Sequence, residues 1–172
     1  MAYTIKIIIV GEPGVGKTSL VKKYISGQFS KDYKASIGTN MFLEKRVIVN
    51  DEDTIEISLQ LWDIAGQERW INMRRIYYAG TQGALVVGDL TRLRTFDQIE
   101  KFWYPDLIKY CGNIPFLLIA NKNDLIKGNI KENIEPLKEK LNALSILYTS
   151  AKTGTNVKEA FNLISDQIIK GL

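Results

Sequence analysis

The sequence predicts an α/β fold with a mostly parallel sheet, and three features of its 172 residues support that prediction. Apolar, β-branched runs alternate with helical patterns along the chain, which is typical of a parallel sheet with helices on both faces. The first apolar run leads into a glycine-rich loop and then into a helix. Two consecutive strand patterns flank the turn-forming residues 50–53, which predicts a hairpin and thus one antiparallel strand at the sheet edge.

Length and composition indicate a single globular domain over residues 1–172. Hydrophobic residues make up 45% and charged residues 24%, which separates the chain from disordered sequences. The net charge is +4 without a run of five like charges, so we expect no nucleic-acid partner. The absence of histidine excludes histidine-based triads and zinc sites, and the one cysteine, Cys111, excludes a disulfide framework.

The first half of the chain reads as three strands and two helices. An apolar run predicts a strand over Thr4–Val10, and an amphipathic helix follows the glycine-rich loop to about Ser26. After a polar stretch come strands Met41–Val49 and Thr54–Trp62, of which the second alternates strictly between apolar and polar residues. Residues 63–75 are polar and contain glycine, so we expect a loop that leads into a helix.

Two strands of the second half, at 84–89 and 114–120, are largely apolar, which predicts burial on both faces, and a third strand follows near the end of the chain. Apolar residues at helical spacing mark two core-facing helices. A helical stretch over 130–144 contains Pro136, so the start of that helix is left open. The strands are Ala84–Asp89, Ile114–Ala120 and Ser145–Thr149, and the helix faces are Phe96, Ile99, Trp103, Leu107 and Val157, Phe161, Ile164, Ile168.

Residues 11–18 read G-E-P-G-V-G-K-T and predict a phosphate-binding loop. Glycines allow backbone N–H groups to turn inward and form an anion-binding nest, and the helix N-terminus adds partial positive charge. Lys17 can reach the β- and γ-phosphates of a nucleotide, and the Thr18 hydroxyl can bind Mg²⁺. The alternative is a glycine-rich turn that only joins a strand to a helix.

In an open α/β sheet, ligands bind outside the carboxyl ends of the strands, so the loops that follow the other strands carry further candidates. The hairpin strand leads to Asp63, which can hold Mg²⁺, to Gly66, whose N–H can reach a γ-phosphate, and to Gln67, which can orient an attacking water. A D-x-x-G pattern is weak evidence by itself because it occurs in many turns.

Two later loops carry the candidates for base recognition. Asp124 in Asn121-Lys122-Asn123-Asp124 can accept two hydrogen bonds from a guanine edge, which adenine cannot donate. The Lys122 stem can pack on the base, and Asn121 can join this loop to the phosphate-binding loop. Backbone N–H groups of Ser150-Ala151-Lys152 can meet the guanine oxygen. The alternative reading is a pair of ordinary polar turns.

With these motifs in order, the chain resembles the small GTPases of the Ras superfamily and is most similar to the Rab branch. The resemblance covers essentially the whole chain and rests on 11–18, L-W-D-I-A-G-Q-E-R-W (61–70), Y-Y-A-G-T-Q-G (77–83), N-K-N-D (121–124) and S-A-K-T-G-T-N-V (150–157). It implies a P-loop G domain with six strands in the order 2-3-1-4-5-6 and five helices, binding of GTP and GDP with Mg²⁺, and slow hydrolysis. It also implies two switches, near Phe29–Asn40 and Ala65–Tyr78, that effectors, exchange factors and GTPase-activating proteins contact.

The resemblance assigns a role to each matching position. Gln67 is the catalytic residue, and Thr18, Ser36 and Asp63 hold the metal, with Thr39 as the fallback for Ser36. The nucleotide-binding residues are Gly14, Val15, Gly16, Lys17, Thr18, Ser19, Phe29, Ser36, Gly66, Asn121, Lys122, Asp124, Ser150, Ala151 and Lys152. Arg69, Arg74 and Arg75 are expected to face partners or solvent, so a partner supplies what the slow reaction lacks. Phe29 can instead be an ordinary core contact, and Trp70 either anchors a partner or packs under its loop.

The sequence departs from the family pattern at several places. Ser36 replaces the usual threonine, and S-I-G-T-N-M differs from the Rab pattern T-I-G-V-D-F around it. Pro13 lacks an N–H, so Gly14, Gly16 and Lys17 are expected to remain the phosphate donors. No cysteine is present at the C-terminal end to accept a prenyl group, so we expect a cytoplasmic protein, peripheral to a membrane only if a tail has been removed. Two alternatives are a module that holds GTP without hydrolysis and a P-loop ATPase or kinase, which Asp124 argues against.

Overall fold

The computed structural model describes residues 2–27, 39–49, 53–66 and 71–172. The strands are β1 Ala2–Gly11, β2 Thr39–Val49, β3 Thr54–Ile64, β4 Gly83–Asp89, β5 Phe116–Asn121 and β6 Ile146–Tyr148. The helices are α1 Lys17–Ser26, α2 Ile71–Tyr78, α3 Arg94–Gln98, α4 Tyr104–Cys111, α5 Pro136–Leu141 and α6 Val157–Lys170. Because α3 and α4 are parts of one continuous helix, 94–111, the described residues form five helices apart from short 3₁₀ turns.

One six-stranded sheet has the order β2-β3-β1-β4-β5-β6. The β2 and β3 strands pair antiparallel, and every other neighbouring pair is parallel. The predicted fold class and strand order are therefore confirmed. A parallel sheet of this order brings the loops after β1, β3, β5 and β6 to the same edge, where ligands bind in open α/β sheets.

Helices cover both faces of the sheet because alternate residues of the central strand β1 point to opposite sides. Ile5, Ile7 and Ile9 pack on one side in the core that contains the apolar faces of α1 and α6. Ile8 and Val10 pack on the other side, with the helix 94–111 and α5. The core residues predicted for the two long helices are all buried: Phe96, Ile99, Trp103, Leu107, Val157, Phe161, Ile164 and Ile168.

The structure corrects several predicted boundaries. The β3 strand continues through Asp63 and Ile64, where a loop was predicted, because β2 pairs with it as far as the partners Thr39 and Ile64. The start of the helix in the stretch 130–144, which the sequence left open, is Pro136, where a missing N–H removes no helical hydrogen bond, and the helix ends at Leu141. The strand predicted from Ile114 begins at Phe116, directly after Pro115. The predicted turn residues 50–52 lie outside the described part of the chain.

The helix 94–111 widens into a π-helical turn over Ile99–Trp103. Pro105 has no N–H to donate to the carbonyl of Lys101, and its ring would clash with that carbonyl in an ordinary α-helix. The N–H of Tyr104 reaches back to the carbonyl of Ile99 instead, which opens the turn by one residue. The rings of Phe102 and Trp103 then meet edge to face, with centroids 4.8 Å apart.

The edge strand β2 has two different faces. Its outward row is apolar and exposed at Met41, Leu43, Val47 and Val49, with Lys45 in the middle. On the opposite face, Arg46 donates to the Asp166 carboxylate at 2.7 Å and to the carbonyl of Asn162, so this face is fastened to α6.

No transmembrane helix is found, since no helix in the described ranges combines the length and apolar character that crossing a bilayer requires.

Gly88 allows β4 to lie against the helix 94–111. A Cβ atom at this position would lie 2.4 Å from Cε1 of Phe96. We therefore expect Gly88→Ala to lower the free energy of unfolding by roughly 1–3 kcal/mol, because an overpacked core must shift. Urea denaturation measures this loss, and Phe96→Leu in the same chain is expected to restore part of it. If Gly88→Ala lowers the free energy of unfolding equally in the native chain and in the Phe96→Leu variant, the steric explanation is contradicted.

Candidate functional site

The phosphate-binding loop joins β1 to α1 as predicted, and α1 starts at Lys17. Gly16 adopts φ 102°, a backbone conformation that side chains with a Cβ rarely adopt. A Cβ atom at Gly16 would lie 2.3 Å from Nδ2 of Asn121, so the close approach of these two loops also requires glycine.

The Lys17 ammonium is held inside this loop. Its Nζ donates to the backbone carbonyls of Gly11 and Glu12, both at 2.9 Å, and the residue is only 6% exposed. Burial lowers the pKa of Lys17 to about 8, although the carboxylates of Asp63 and Glu12 oppose that change. The loop therefore presents a buried cation beside its N–H groups.

Two of the predicted metal ligands lie together at the end of β3. The Thr18 hydroxyl donates to Oδ2 of Asp63, and Asp63 is fully buried. The Thr39 hydroxyl, the fallback ligand, donates to the backbone carbonyl of Asp63 at 3.0 Å, so it binds the β3 backbone. Ser36, the preferred ligand, lies outside the described residues, as do Phe29, Gln67 and Trp70.

Gly66 lies against the phosphate-binding loop. A Cβ atom at this position would lie 2.4 Å from the carbonyl oxygen of Gly11 and 2.7 Å from the nitrogen of Pro13. These contacts involve backbone atoms, which cannot move aside as a flexible side chain can, so only glycine allows this approach. The loop after β3 is thus brought next to the phosphate-binding loop, as its predicted role requires.

Asn121 joins three loops, and the predicted link to the phosphate-binding loop is confirmed. Its Nδ2 donates to the carbonyl of Val15 at 2.9 Å. Its Oδ1 accepts from the Thr149 hydroxyl at 3.0 Å and from the N–H of Ala151 at 3.3 Å. One buried amide therefore fixes the loops after β1, β5 and β6 relative to one another.

Asp124 is positioned by Ser150. The Ser150 hydroxyl donates to Oδ1 of Asp124 at 2.8 Å and accepts from the N–H of Thr153 at 3.1 Å. Of the remaining predicted residues, Gly14 and Ser19 are half-buried in or beside the phosphate-binding loop, and Lys152 is exposed. The structure thus brings the phosphate and base candidates to one edge of the sheet.

The sequence analysis missed two residues behind the site. Asp89, at the end of β4, is fully buried and pairs with Lys122 and Arg92. Arg92 also donates from Nη2 to the carbonyl of Pro13 at 3.0 Å. The available signal was a carboxylate at the carboxyl end of an entirely apolar strand, the position at which Asp63 and Asn121 also occur.

The prediction that Arg74 faces partners or solvent is wrong. Arg74 is 2% exposed, and its Nε donates to Oδ2 of Asp106 at 2.9 Å. Its guanidinium lies 4.6 Å from the Phe102 ring centroid and 5.3 Å from that of Trp103. Desolvation of an arginine is compensated here by a carboxylate and two aromatic faces, which fasten α2 to the helix 94–111.

Trp103 extends this contact to the phosphate-binding loop. Its Nε1 donates to Oε1 of Glu12 at 2.9 Å. A cavity of about 290 Å³ lies beside these residues, and Glu12, Gly66, Arg74, Phe102 and Trp103 are among those that line it. The phosphate-binding loop, the loop after β3 and α2 therefore all lie around one cavity beside the helix 94–111.

Comparison with known proteins gives consistent similarities over this whole region. A family model described as the Ras family matches residues 6–170. The chain is 37% identical to the Ras-related protein Rab-32A of Dictyostelium discoideum, over 98% of the chain and 79% of that protein. It is 36% identical to Ras-related protein Rab-32 of Homo sapiens, over 97% and 76% respectively. It is 37% identical to Ras-related protein RABG3f of Arabidopsis thaliana, over 96% and 82%.

Removing the cation from the buried pair tests the role of Arg74. We expect Arg74→Met to lower the free energy of unfolding by about 3 kcal/mol, because it leaves the Asp106 carboxylate without its cation. Chemical denaturation at saturating GDP measures this change. Arg75→Met, at the exposed neighbouring position, is the matched control and is expected to change stability by less than roughly 0.5 kcal/mol. A loss for Arg74→Met no larger than for the control would show that the pair does not stabilise the fold.

Proposed function

Because the chain belongs to the Ras family of small GTPases, and within it to the Rab branch, we propose that one guanine nucleotide binds across the loops after β1, β3, β5 and β6. The protein is a GTP-binding switch and a GTPase, as members of this family are. No finding favours the alternative of a module that holds GTP without hydrolysis. The observation that carries the assignment of the site is the Asn121 amide, which ties the phosphate loop to both base loops.

The phosphate groups are proposed to lie in the loop 11–18. Backbone N–H groups from Gly14 to Lys17 would surround the β-phosphate, with Ser19 close behind. The Lys17 ammonium, which now bonds to two loop carbonyls, supplies the positive charge that the β- and γ-phosphates require. Gly66, already in contact with this loop, would donate its N–H to the γ-phosphate.

We propose Mg²⁺ as the cofactor, because the donor atoms suit it. The Thr18 hydroxyl and the Asp63 carboxylate are hydrogen-bonded to each other, so two hard oxygen ligands lie side by side. Within the described ranges, no cluster of three or more Asp, Glu, Cys or His side chains would hold a metal unaided. Mg²⁺ usually completes its shell with phosphate oxygens and water, and Ser36 is the proposed third protein ligand. When bound, Mg²⁺ neutralises charge on the phosphate oxygens.

Asp124, Lys122 and the loop 150–152 are proposed to bind the guanine base. The Asp124 carboxylate, oriented by the Ser150 hydroxyl, would accept two hydrogen bonds from the guanine edge. The N–H of Ala151, with its neighbour Lys152, would meet the guanine oxygen. Lys122 and Phe29 would cover the faces of the base. The Asp124 side chain is exposed, and a bound base would displace the water around it. Guanine replaces that water with two N–H donors and adenine does not, so this arrangement favours guanine over adenine.

Gln67 is the proposed catalytic residue, and it would orient the attacking water. The buried Arg74 is occupied by Asp106 and so does not supply a catalytic guanidinium to the γ-phosphate. Slow hydrolysis is therefore proposed, with a partner protein completing the charge stabilisation. Loss of the γ-phosphate would release Ser36 and Gly66, and both switches would relax.

Like Ras-family proteins in general, this one interacts with regulators and effectors. We propose that they contact switches near Phe29–Asn40 and Ala65–Tyr78, where Met73 and Ile76 of α2 are exposed. The departure of S-I-G-T-N-M from the Rab pattern favours a distinct set of effectors. The proposed process is membrane traffic or a related signalling event, with the protein in the cytoplasm or peripheral to a membrane.

The first test is to identify the nucleotide that copurifies with the protein. We expect GDP and, after reloading with GTP and Mg²⁺, slow single-turnover phosphate release. Gln67→Leu is expected to slow that release by roughly tenfold or more, because it removes the group that orients water. Bound GTP without any release in either protein would instead support the non-hydrolysing module. Equal rates in the two proteins would remove Gln67 from the catalytic role.

Base recognition is tested separately with GTP and ITP, which lacks the 2-amino group of guanine. We expect the native protein to bind GTP roughly ten- to a hundredfold more tightly than ITP, since one charge-assisted hydrogen bond is lost with ITP. Asp124→Ala should reduce this preference to about twofold or less, because the acceptor is absent for both nucleotides. Competition against a fluorescent GDP measures the ratio. An unchanged preference in Asp124→Ala would place the guanine edge elsewhere.

A further inference from the structure

We propose that Arg92 and Asp89 are positioning residues that couple the phosphate loop to the base loop, so that the two loops release a bound nucleotide together. This inference rests on the proposed nucleotide site. It concerns two residues at the carboxyl end of β4, the central strand that contributes none of the proposed ligand contacts.

Asp89 is the buried centre of this contact. Its side chain is 0% exposed and accepts hydrogen bonds on both oxygens. Oδ1 accepts from the N–H and the hydroxyl of Thr91, at 2.8 and 2.6 Å. Oδ2 accepts from Nε of Arg92 at 3.0 Å and from Nζ of Lys122 at 2.8 Å. Burial alone raises the pKa of Asp89, but the hydrogen bonds outweigh it and hold the pKa below its usual value.

Arg92 connects this carboxylate to the phosphate loop. Nε bonds to Asp89 while Nη2 donates to the carbonyl of Pro13 at 3.0 Å, so one planar guanidinium holds both. The Arg92 backbone is fixed as well, because its N–H donates to the carbonyl of Asp89 at 2.9 Å. Pro13 has no N–H of its own, so its carbonyl is the backbone polar group by which the loop is held at this residue.

Lys122 connects the same carboxylate to the base loop. Its backbone lies at φ 67°, and its ammonium reaches back to Asp89. The stem of Lys122 is the part proposed to pack on the base, so the direction in which Asp89 draws the ammonium also orients that stem. A continuous chain of charged contacts thus runs from Pro13 through Arg92 and Asp89 to Lys122.

This series of contacts from Pro13 to Lys122 differs from the direct contact between Asn121 and Val15, because it consists of charges that compensate one another. Without the Arg92 guanidinium, the Pro13 carbonyl loses its donor and Asp89 retains one cation in place of two. Charge-assisted hydrogen bonds contribute enough that losing one typically changes an equilibrium roughly tenfold. The effect should appear in the rate at which nucleotide leaves, since both loops must open for release.

The test measures dissociation of N-methylanthraniloyl-GDP, with Mg²⁺ present, from the full chain after addition of excess GDP. We expect Arg92→Ala to dissociate the nucleotide roughly tenfold faster than the native protein. Arg92→Lys should recover part of that loss, because lysine keeps a cation and a donor. Arg94→Ala is the matched control, since its guanidinium is exposed and makes no hydrogen bond or ion pair within the described residues, and its rate should be unchanged.

A double-mutant cycle then tests coupling between the loops. Asp89→Asn combined with Arg92→Ala should release nucleotide no faster than the faster single variant, because both changes break one chain of contacts. If Asp89→Asn does not fold, Lys122→Ala replaces it in the same cycle with the same expectation. Rates that multiply in the double variant, or a native rate in Arg92→Ala, would overturn the proposal.

The outcomes also separate this proposal from the one on which it rests. If the native protein binds no guanine nucleotide, the proposed function fails before any variant is compared. If it binds GDP and the cycle is additive, only the coupling fails. The two Arg92 variants are also compared by their stability to denaturant. If Arg92→Ala and Arg92→Lys lose equal stability and retain nucleotide equally poorly, Arg92 has a general structural role, and the proposal is likewise overturned.

Discussion

The ligand-binding edge of the sheet depends on the hydrogen bonds of one buried amide, that of Asn121. The strands β1 and β5 are not neighbours, because β4 lies between them, so backbone pairing cannot fix their loops to each other. Asn121 bridges that gap with its Nδ2 on the carbonyl of Val15 and its Oδ1 on the N–H of Ala151. The Asn121 amide lies so close to the backbone at position 16 that a Cβ atom there would overlap Nδ2, so this position requires glycine. The glycine spacing of the phosphate loop is thus a consequence of packing as well as of phosphate binding.

A second support of the phosphate loop comes from the helix 94–111. The missing N–H of Pro105 widens the helix 94–111 by one residue, and the widened turn presents Phe102 and Trp103 together. Those rings and Asp106 bury Arg74 of α2, and Trp103 also reaches Glu12. A proline in one helix therefore determines how another helix and a loop are held. These contacts fasten α2, which lies in the proposed second switch, to the helix 94–111.

The sequence predicted the sheet well because buried parallel strands and an amphipathic edge strand leave clear patterns over whole segments. The end of β3 and the start of α5 were placed less well, since pairing with Thr39 and the position of Pro136 decided them. In the candidate site, Asn121, Asp124 and Lys17 could be proposed from the sequence because they lie in motifs with defined spacing. Arg92 and Asp89 act through contacts between distant segments, and the burial of Arg74 depends on a helical turn that its own sequence neighbourhood does not reveal.

The two faces of β2 have a consequence for the colloidal behaviour of the protein. Arg46 fastens the inner face of β2 to α6, and β2 is the first strand in the sheet order. The outer row then offers Leu43, Val47 and other apolar side chains beside unpaired backbone groups, a combination that favours strand-to-strand aggregation. Lys45 interrupts that row with a charge and acts as a gatekeeper against such assembly. Lys45 is thus the charged residue that interrupts the exposed apolar row of this strand.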